Sequence, residues 1–347
     1  MTTASSHTDA MYKLHGMLMS PFSMKLRAYL RYRRIPFQWC NDLQADQIAR
    51  TKVKTYMVPV IEYPDGTFEN DSTPIIDKLE SAIASRRTEP DNEADAFLAY
   101  LIEDFADEWL MWPFFMHRWH LPEDQQHNSE WILYEGLKGN IENDEFKAMS
   151  QMWAGRQMSL VAKFCDGSQY YDMLDGSLQA FLETMERAVT NGLFFFGSRP
   201  SRAEIAIYGI LSQEIQDLTT TKFMRDRYRF TSRWISMIDD LSGVEGDWEP
   251  LSTSEEKLLA SPVAEILKHS GKYHLPMLQA NEVALANQEK TFSYDIDGKP
   301  FKRVANGRHT ICLPALRERY AELSADSKAA LNTVLEASGS LQYLVTN

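Results

Sequence analysis

Cysteine is scarce in this chain: Cys40, Cys165 and Cys312 are spread over 347 positions with no CxxC pair. An odd, sparse set of this kind excludes a disulfide scaffold and a cysteine-based structural zinc site, and no metal is expected. Long apolar runs are missing as well. Leu193-Phe194-Phe195-Phe196 falls far short of the ~18 residues a spanning helix needs, so no membrane partner is expected. Basic charge is in deficit, with 36 Lys and Arg against 49 Asp and Glu and a formal net charge of −13. That balance disfavours a partner recognised through phosphates, so no nucleic acid is expected. Residues 1–10 are polar, without the apolar core of a signal peptide, and read as a disordered leader. A reducing cytoplasm is the expected location.

What is present is globular: 44% hydrophobic and 24% charged residues, enough for an ample core. The length suits two domains plus an extension. Tyr12 to Gly16 reads as a first strand. Pro21 suits the first turn of a helix, where its missing N–H costs nothing. Leu26, Tyr29, Leu30 and Arg33 follow at helical spacing, and Arg33-Arg34 suits a helix C-terminus. Phe37–Cys40 is a second strand and Asp42–Thr51 a short helix. Val58–Glu62 and Thr67–Glu69 flank the turn Tyr63-Pro64-Asp65-Gly66. Ser72 is placed to cap a helix bearing Ile75, Ile76, Leu79 and Ile83. The order βαβ, hairpin, α predicts a thioredoxin-like unit over 11–84.

Residues 84–91 read as a linker, and the chain then turns helical over 92–249. Leu98, Leu101, Ile102, Phe105 and Trp109 mark one long amphipathic helix, which Pro113 should break or bend. Leu178 to Val189 repeats the pattern up to Asn191-Gly192, and Ser201-Arg202-Ala203-Glu204 has capping-box spacing. From 250 to 347 the pattern predicts an extension. A helix over 261–286, interrupted by Pro276, precedes a hairpin at Asp297-Gly298 and a last helical stretch over 316–335.

Four stretches in this order resemble the glutathione S-transferase superfamily, over roughly residues 12–245. Ser20-Pro21-Phe22-Ser23 is similar to the Cys-Pro-Phe turn of glutaredoxins and omega-class transferases and to the serine turn of zeta-class ones. Val58-Pro59-Val60 looks like the cis-proline signature before the third strand. Glu69 to Ile76 is similar to the acidic-residue-plus-serine helix start, and Ser198 to Ala206 resembles the capping box of the helical domain. The resemblance implies a thioredoxin-like N-terminal domain, a helical-bundle C-terminal domain, glutathione as cofactor and a homodimer.

It also implies roles. Ser20 would donate to the glutathione sulfur, with Ser23 as the other candidate; read without the resemblance, either serine is a helix cap. Val58 would offer its backbone to the cysteinyl part, exposed by a cis Pro59. Asp71 and Ser72 would receive the γ-glutamyl end. Lys54, or Lys52, would meet the glycyl carboxylate. Asp104 and Asp107 resemble acidic residues that this helix points at the cofactor ammonium. A small hydrophobic electrophile would lie between the domains against Trp112, Met116, His117 and Trp119. Serine in place of cysteine points to thiolate activation rather than disulfide exchange. Isomerisation, ether cleavage or dehalogenation on the same site, and a non-catalytic scaffold of the same fold, are the alternatives.

Overall fold

The structure, a computed structural model, describes residues 11–139, 141, 144–165 and 167–345. The expected leader over 1–10 lies outside the described residues. The chain opens with β1 (Tyr12–His15), α1 (Pro21–Tyr32), β2 (Phe37–Cys40), α2 (Leu43–Lys52), β3 (Val60–Glu62), β4 (Phe68–Asn70) and α3 (Ser72–Ala82). Its strands make one sheet in the order β2-β1-β3-β4. β1 and β2 run parallel, with Leu14 opposite Trp39, as a crossover through α1 requires; β3 and β4 are antiparallel. This is the thioredoxin-like domain. Leu26, Tyr29 and Leu30 of α1 are fully buried, as their spacing predicts.

One cap differs from expectation. Asp71, not Ser72, is the N-cap of α3, accepting from the Thr73 N–H at 3.4 Å. Asp71 does so at a φ of +82°, a region that short polar side chains tolerate better than others. Ser72 becomes the first helical residue.

Helices follow. α4 (Glu93–Phe105) runs through a π-helical turn (Ala106–Leu110) into α5 (Met111–His120). Pro113 therefore does not break the helix. It cannot donate to the carbonyl four residues back, and the wider turn lies just where that bond would be lost. Next come α6 (Pro122–Gly136), α7 (Asp144–Cys165), α8 (Tyr171–Asn191), α9 (Arg202–Glu214), α10 (Leu218–Arg227) and α11 (Arg229–Ile238). α9 begins with the expected capping box of Ser201 and Glu204. It packs closely on α1 because Gly209 has no side chain: a Cβ there would stand 2.8 Å from the Pro21 carbonyl oxygen. This contact joins the thioredoxin-like unit to the helices.

The remaining chain forms α12 (Glu255–Leu259), α13 (Pro262–His269), a second π-helical turn (Ser270–His274) and α14 (Leu275–Ala286). After these come β5 (Thr291–Ile296), β6 (Lys299–Val304), α15 (Cys312–Glu322), α16 (Ala325–Ala337) and α17 (Leu341–Leu344). Asp297 and Gly298 both have positive φ, as a tight hairpin turn needs. The single last helix expected over 316–335 is two, because Ser324 caps α16. Pro276 sits in the first turn of α14, directly after the second π turn, as Pro113 follows the first. The two turns meet face to face: Trp109 stacks on Tyr273 with ring centroids 5.1 Å apart. His274 Nε2 lies 2.7 Å from Asp104, and His309 Nε2 2.8 Å from Glu108. The segment after 250 is thus bound to the α4–α5 helix through two partly buried acids.

Candidate functional site

The loop Gly16–Ser20 carries the first candidate. Ser20 caps α1: its Oγ accepts from the Ser23 N–H at 3.2 Å. Its own O–H has no acceptor among the described residues, so a donor remains at the head of α1. Pro21 has no N–H and that of Ser23 is taken, which leaves the Phe22 amide with no partner among the described residues. Ser20 is 7% exposed. Three side chains from the helices grip the loop. Glu135 accepts from the Leu18 N–H at 2.8 Å, Gln213 donates to the Leu18 carbonyl at 3.1 Å, and Arg118 donates to that of Met19 at 2.6 Å. Arg118 is itself fixed by two bonds of 2.7 Å to Asp217.

Ser23 is the other candidate for the sulfur. It is fully buried, and a Cβ on Gly16 would stand 2.7 Å from its Oγ, so the loop backbone closes over it. Its hydroxyl accepts from the Met17 N–H instead.

Val58 precedes Pro59 across a cis peptide bond. Neither its N–H nor its C=O is hydrogen-bonded among the described residues, since pairing of β3 starts at Val60. Asp71 is half-buried, and burial raises its carboxyl above the usual range against the pull of Lys25. Ser72 is buried next to it, with no side-chain hydrogen bond among the described residues. Lys54 and Lys52 are exposed; Lys52 lies over the Phe68 ring.

Behind Asp71 sits a buried ionic network that spacing did not reveal. Lys25 of α1 is 2.6 Å from Glu103 and 2.5 Å from Asp107, both on the α4–α5 helix. Burial opposes the ammonium, yet the two carboxylates hold its pKa above the ordinary value. Glu103 also pairs with Arg202 and, against its burial, is brought down to about 2. Asp107 shares only the lysine, and burial pushes it up to about 7. Asp104 and Asp107 are therefore occupied, one by His274 and the other by Lys25 and Thr73.

The four side chains expected to meet an electrophile are buried. Trp112, Met116, His117 and Trp119 are all below 8% exposed. The Arg303 guanidinium covers Trp112 at 3.9 Å, and α5 is enclosed by α8, α9 and the segment after 250. Periodicity identifies an apolar face but not what lies on it. His117 is held between Glu214 (3.3 Å) and Asp175 (3.0 Å). Burial works against its charge, but the two acids raise it to about 10. A histidine kept protonated this way has no base to offer near neutral pH.

An open cleft lies elsewhere between the sheet and the helices. Gly16, Met17 and Val58 form one side, α2 another, and Ile132, Leu133 and Trp153 of α6–α7 the third. Its volume is about 60 Å³, several times the ~10–15 Å³ that one water needs. Helices α6 and α7 were not separated by sequence reading; Pro122 as a helix start was the available signal.

A sheet of this topology joined through α1 and α9 to a helical bundle defines a thioredoxin-fold protein of two-part construction. Residues 14–87 match the family described as "Glutathione S-transferase, N-terminal domain". Among curated proteins the chain is similar to prostaglandin E synthase 2 of Danio rerio, 23% identical over 59% of this chain. That match spans 64% of the relative's length. Among solved structures, a glutathione S-transferase from Methylobacterium radiotolerans in complex with glutathione sulfonate is 16% identical, with a TM-score of 0.42, over 66% of this chain and 90% of that one. A beta-etherase from Sphingobium is 15% identical, with a TM-score of 0.47, over 66% and 94%. Among the described residues no helix is long and apolar enough to cross a membrane.

Proposed function

We propose that this chain is a glutathione-dependent transferase that presents the cofactor's thiolate to an apolar electrophile. The observation that carries the reading is that, among the described residues, the N–H and C=O of Val58 and the O–H of Ser20 at the α1 start have no hydrogen-bond partner to donate to or accept from. An extended peptide needs just such a pair of backbone partners. The cysteinyl backbone of glutathione would bond Val58, with Pro59 fixing the turn. Its γ-glutamyl carboxylate would rest on the N-terminus of α3 at Ser72, and its ammonium at Asp71. Exposed Lys54 is the cation offered to the glycyl carboxylate.

Ser20 then acts on the sulfur. A free thiol titrates near 8.5, and a shift of ~2 units below that corresponds to about 2.7 kcal/mol in favour of the anion. The Ser20 O–H, the Phe22 amide and the α1 N-terminus all favour that anion. The thiol proton leaves to solvent, and the sulfur attacks the electrophile. We place the work in three segments: 11–84 binds glutathione, 92–249 covers it, and 250–347 braces the covering helix. A cytoplasmic, homodimeric enzyme is the accompanying expectation.

The near-complete burial of Ser20 favours one rival, a binding protein that keeps the fold without turnover. Retention on a glutathione column together with conjugation of benzyl chloride supports the transferase. Retention without turnover supports the rival, and loss of both rejects the glutathione site.

A further inference from the structure

The hairpin after α14 leaves the outer edge of β5 open. Asp297 and Gly298 form its two-residue turn, so Ile296 and Lys299 close the turn as a hydrogen-bonded pair. Bonded and non-bonded pairs alternate along an antiparallel ladder, which makes Asp295–Pro300 and Ser293–Lys302 non-bonded pairs. Pro300 suits that register, because it has no N–H to give. The backbone N–H and C=O of Ser293 and Asp295 therefore point away from β6. Among the described residues these groups have no partner.

They open into a groove of about 620 Å³, lined by every residue from Phe292 to Asp295. The face of a strand would present alternate residues only, so the groove runs along its edge. The opposite wall is α14, with the small side chains Ala280, Val283 and Ala284, of which Val283 is 54% exposed. Charge in the groove is mostly acidic. Lys272 is held by Asp297 at 2.8 Å, whereas Glu289 and Asp295 line the groove with no cation paired to either among the described residues.

We propose that this edge docks an extended segment of another protein as a third strand beside β5, one that alternates small apolar residues with lysine or arginine. The main-chain groups of Ser293 and Asp295 hold the segment by strand addition, which gives affinity whatever the side chains are. The small side chains fit beside α14, and the cations answer Glu289 and Asp295. The groove belongs to the segment after 250, so its occupation needs no glutathione.

The test uses the full chain without glutathione, titrated at low salt with a fluorescein-labelled, end-blocked hexapeptide of alternating lysine and valine, and followed by anisotropy. Wild type should bind it. Ser293→Pro removes one outward N–H where an edge strand tolerates proline, and should bind about fivefold or more weakly, in line with one lost hydrogen bond. Val283→Arg, which fills the groove and adds a like charge, should weaken binding about tenfold, and a glutamate–valine peptide should not bind wild type. Two further lysine–valine peptides carry N-methyl groups on one or the other alternate set of amides. One should lose binding and the other keep it, because only one set can face β5; this readout leaves the protein unaltered. No binding by wild type, equal binding by all three proteins, or an equal effect of the two methylations overturns the proposal. So does a wild-type dimer that Ser293→Pro dissolves while the peptide binds neither protein, which would give the edge to a second copy of this chain.

Discussion

The Leu18 amide donates to both oxygens of Glu135, at 3.0 and 2.8 Å, and so ties the loop before Ser20 to helix α6. The same carboxylate accepts from Asn41 at 2.9 Å. Helix, loop and strand end are held by one side chain 117 residues away from Leu18 in sequence. Glu135 is thus a positioning residue for Ser20.

Glu135→Ala should lower kcat about tenfold, since the loop before Ser20 loses its tie to α6 and to Asn41. KM for glutathione should change less than about twofold, because Val58, Asp71 and Ser72 are untouched. Glu135→Gln keeps one acceptor oxygen and should restore most of the rate. A parallel loss of kcat and glutathione affinity, with no rescue by glutamine, would contradict the positioning role.

Ser20 caps α1, the proposed function gives it a second role at the sulfur, and two substitutions separate the two. Ser20→Ala removes both hydroxyl and cap, costing about 1 kcal/mol of stability, whereas Ser20→Gly costs only a few tenths. Both should reduce turnover near pH 7 by about 10–100-fold, the change expected when a thiol returns ~2 units toward its free value. The deficit should shrink as pH rises above 8.5 and free thiol ionises unaided. A deficit independent of pH would assign Ser20 to capping alone.

His117 gives a pH signature of stability. Its folded pKa, about 10 against an ordinary 6.5, is raised, so its contribution is full below about 6.5 and vanishes as pH passes 10. Removing one member of a buried charged cluster costs about 3–5 kcal/mol. His117→Gln should therefore show a large drop in urea midpoint at pH 6 and a distinctly smaller one at pH 10. A gap that stays constant or widens with pH would mean that the imidazole is neutral in the folded protein.

The segment after 250 is fastened to the α4–α5 helix by His274–Asp104 and His309–Glu108. His309→Ala leaves the partly exposed Glu108 carboxylate without its partner and should destabilise the chain by about 1 kcal/mol or more, seen in chemical denaturation. Limited proteolysis should also cut between α14 and α15 sooner than in wild type. Unchanged stability and cleavage would show that the segment is held by apolar packing alone.

These relationships differ in how far the sequence announces them. Local chemistry was legible: Ser20-Pro21 at a helix start, the Asp297-Gly298 turn and the Ser201/Glu204 box each act within a few residues. Apolar spacing also found the buried faces of α1 and α3. What covers a face was not legible. Trp112, Met116, His117 and Trp119 read as cleft lining because nothing in their spacing announces Arg303, Glu214 or the segment that encloses them. Gly16 shutting off Ser23 is likewise a close approach between a loop and a helix turn. Pro113 and Pro276 misled for another reason: each follows a π turn that absorbs the missing bond, and no simple sequence pattern marks such a turn.

The most direct test is the ionisation of bound glutathione, followed by thiolate ultraviolet absorbance during a pH titration of the full chain. The account predicts that the wild-type complex titrates ~2 units below the free thiol and the Ser20→Gly complex close to the free value. No bound thiol in the wild type, or one titration curve shared by both proteins, would contradict it.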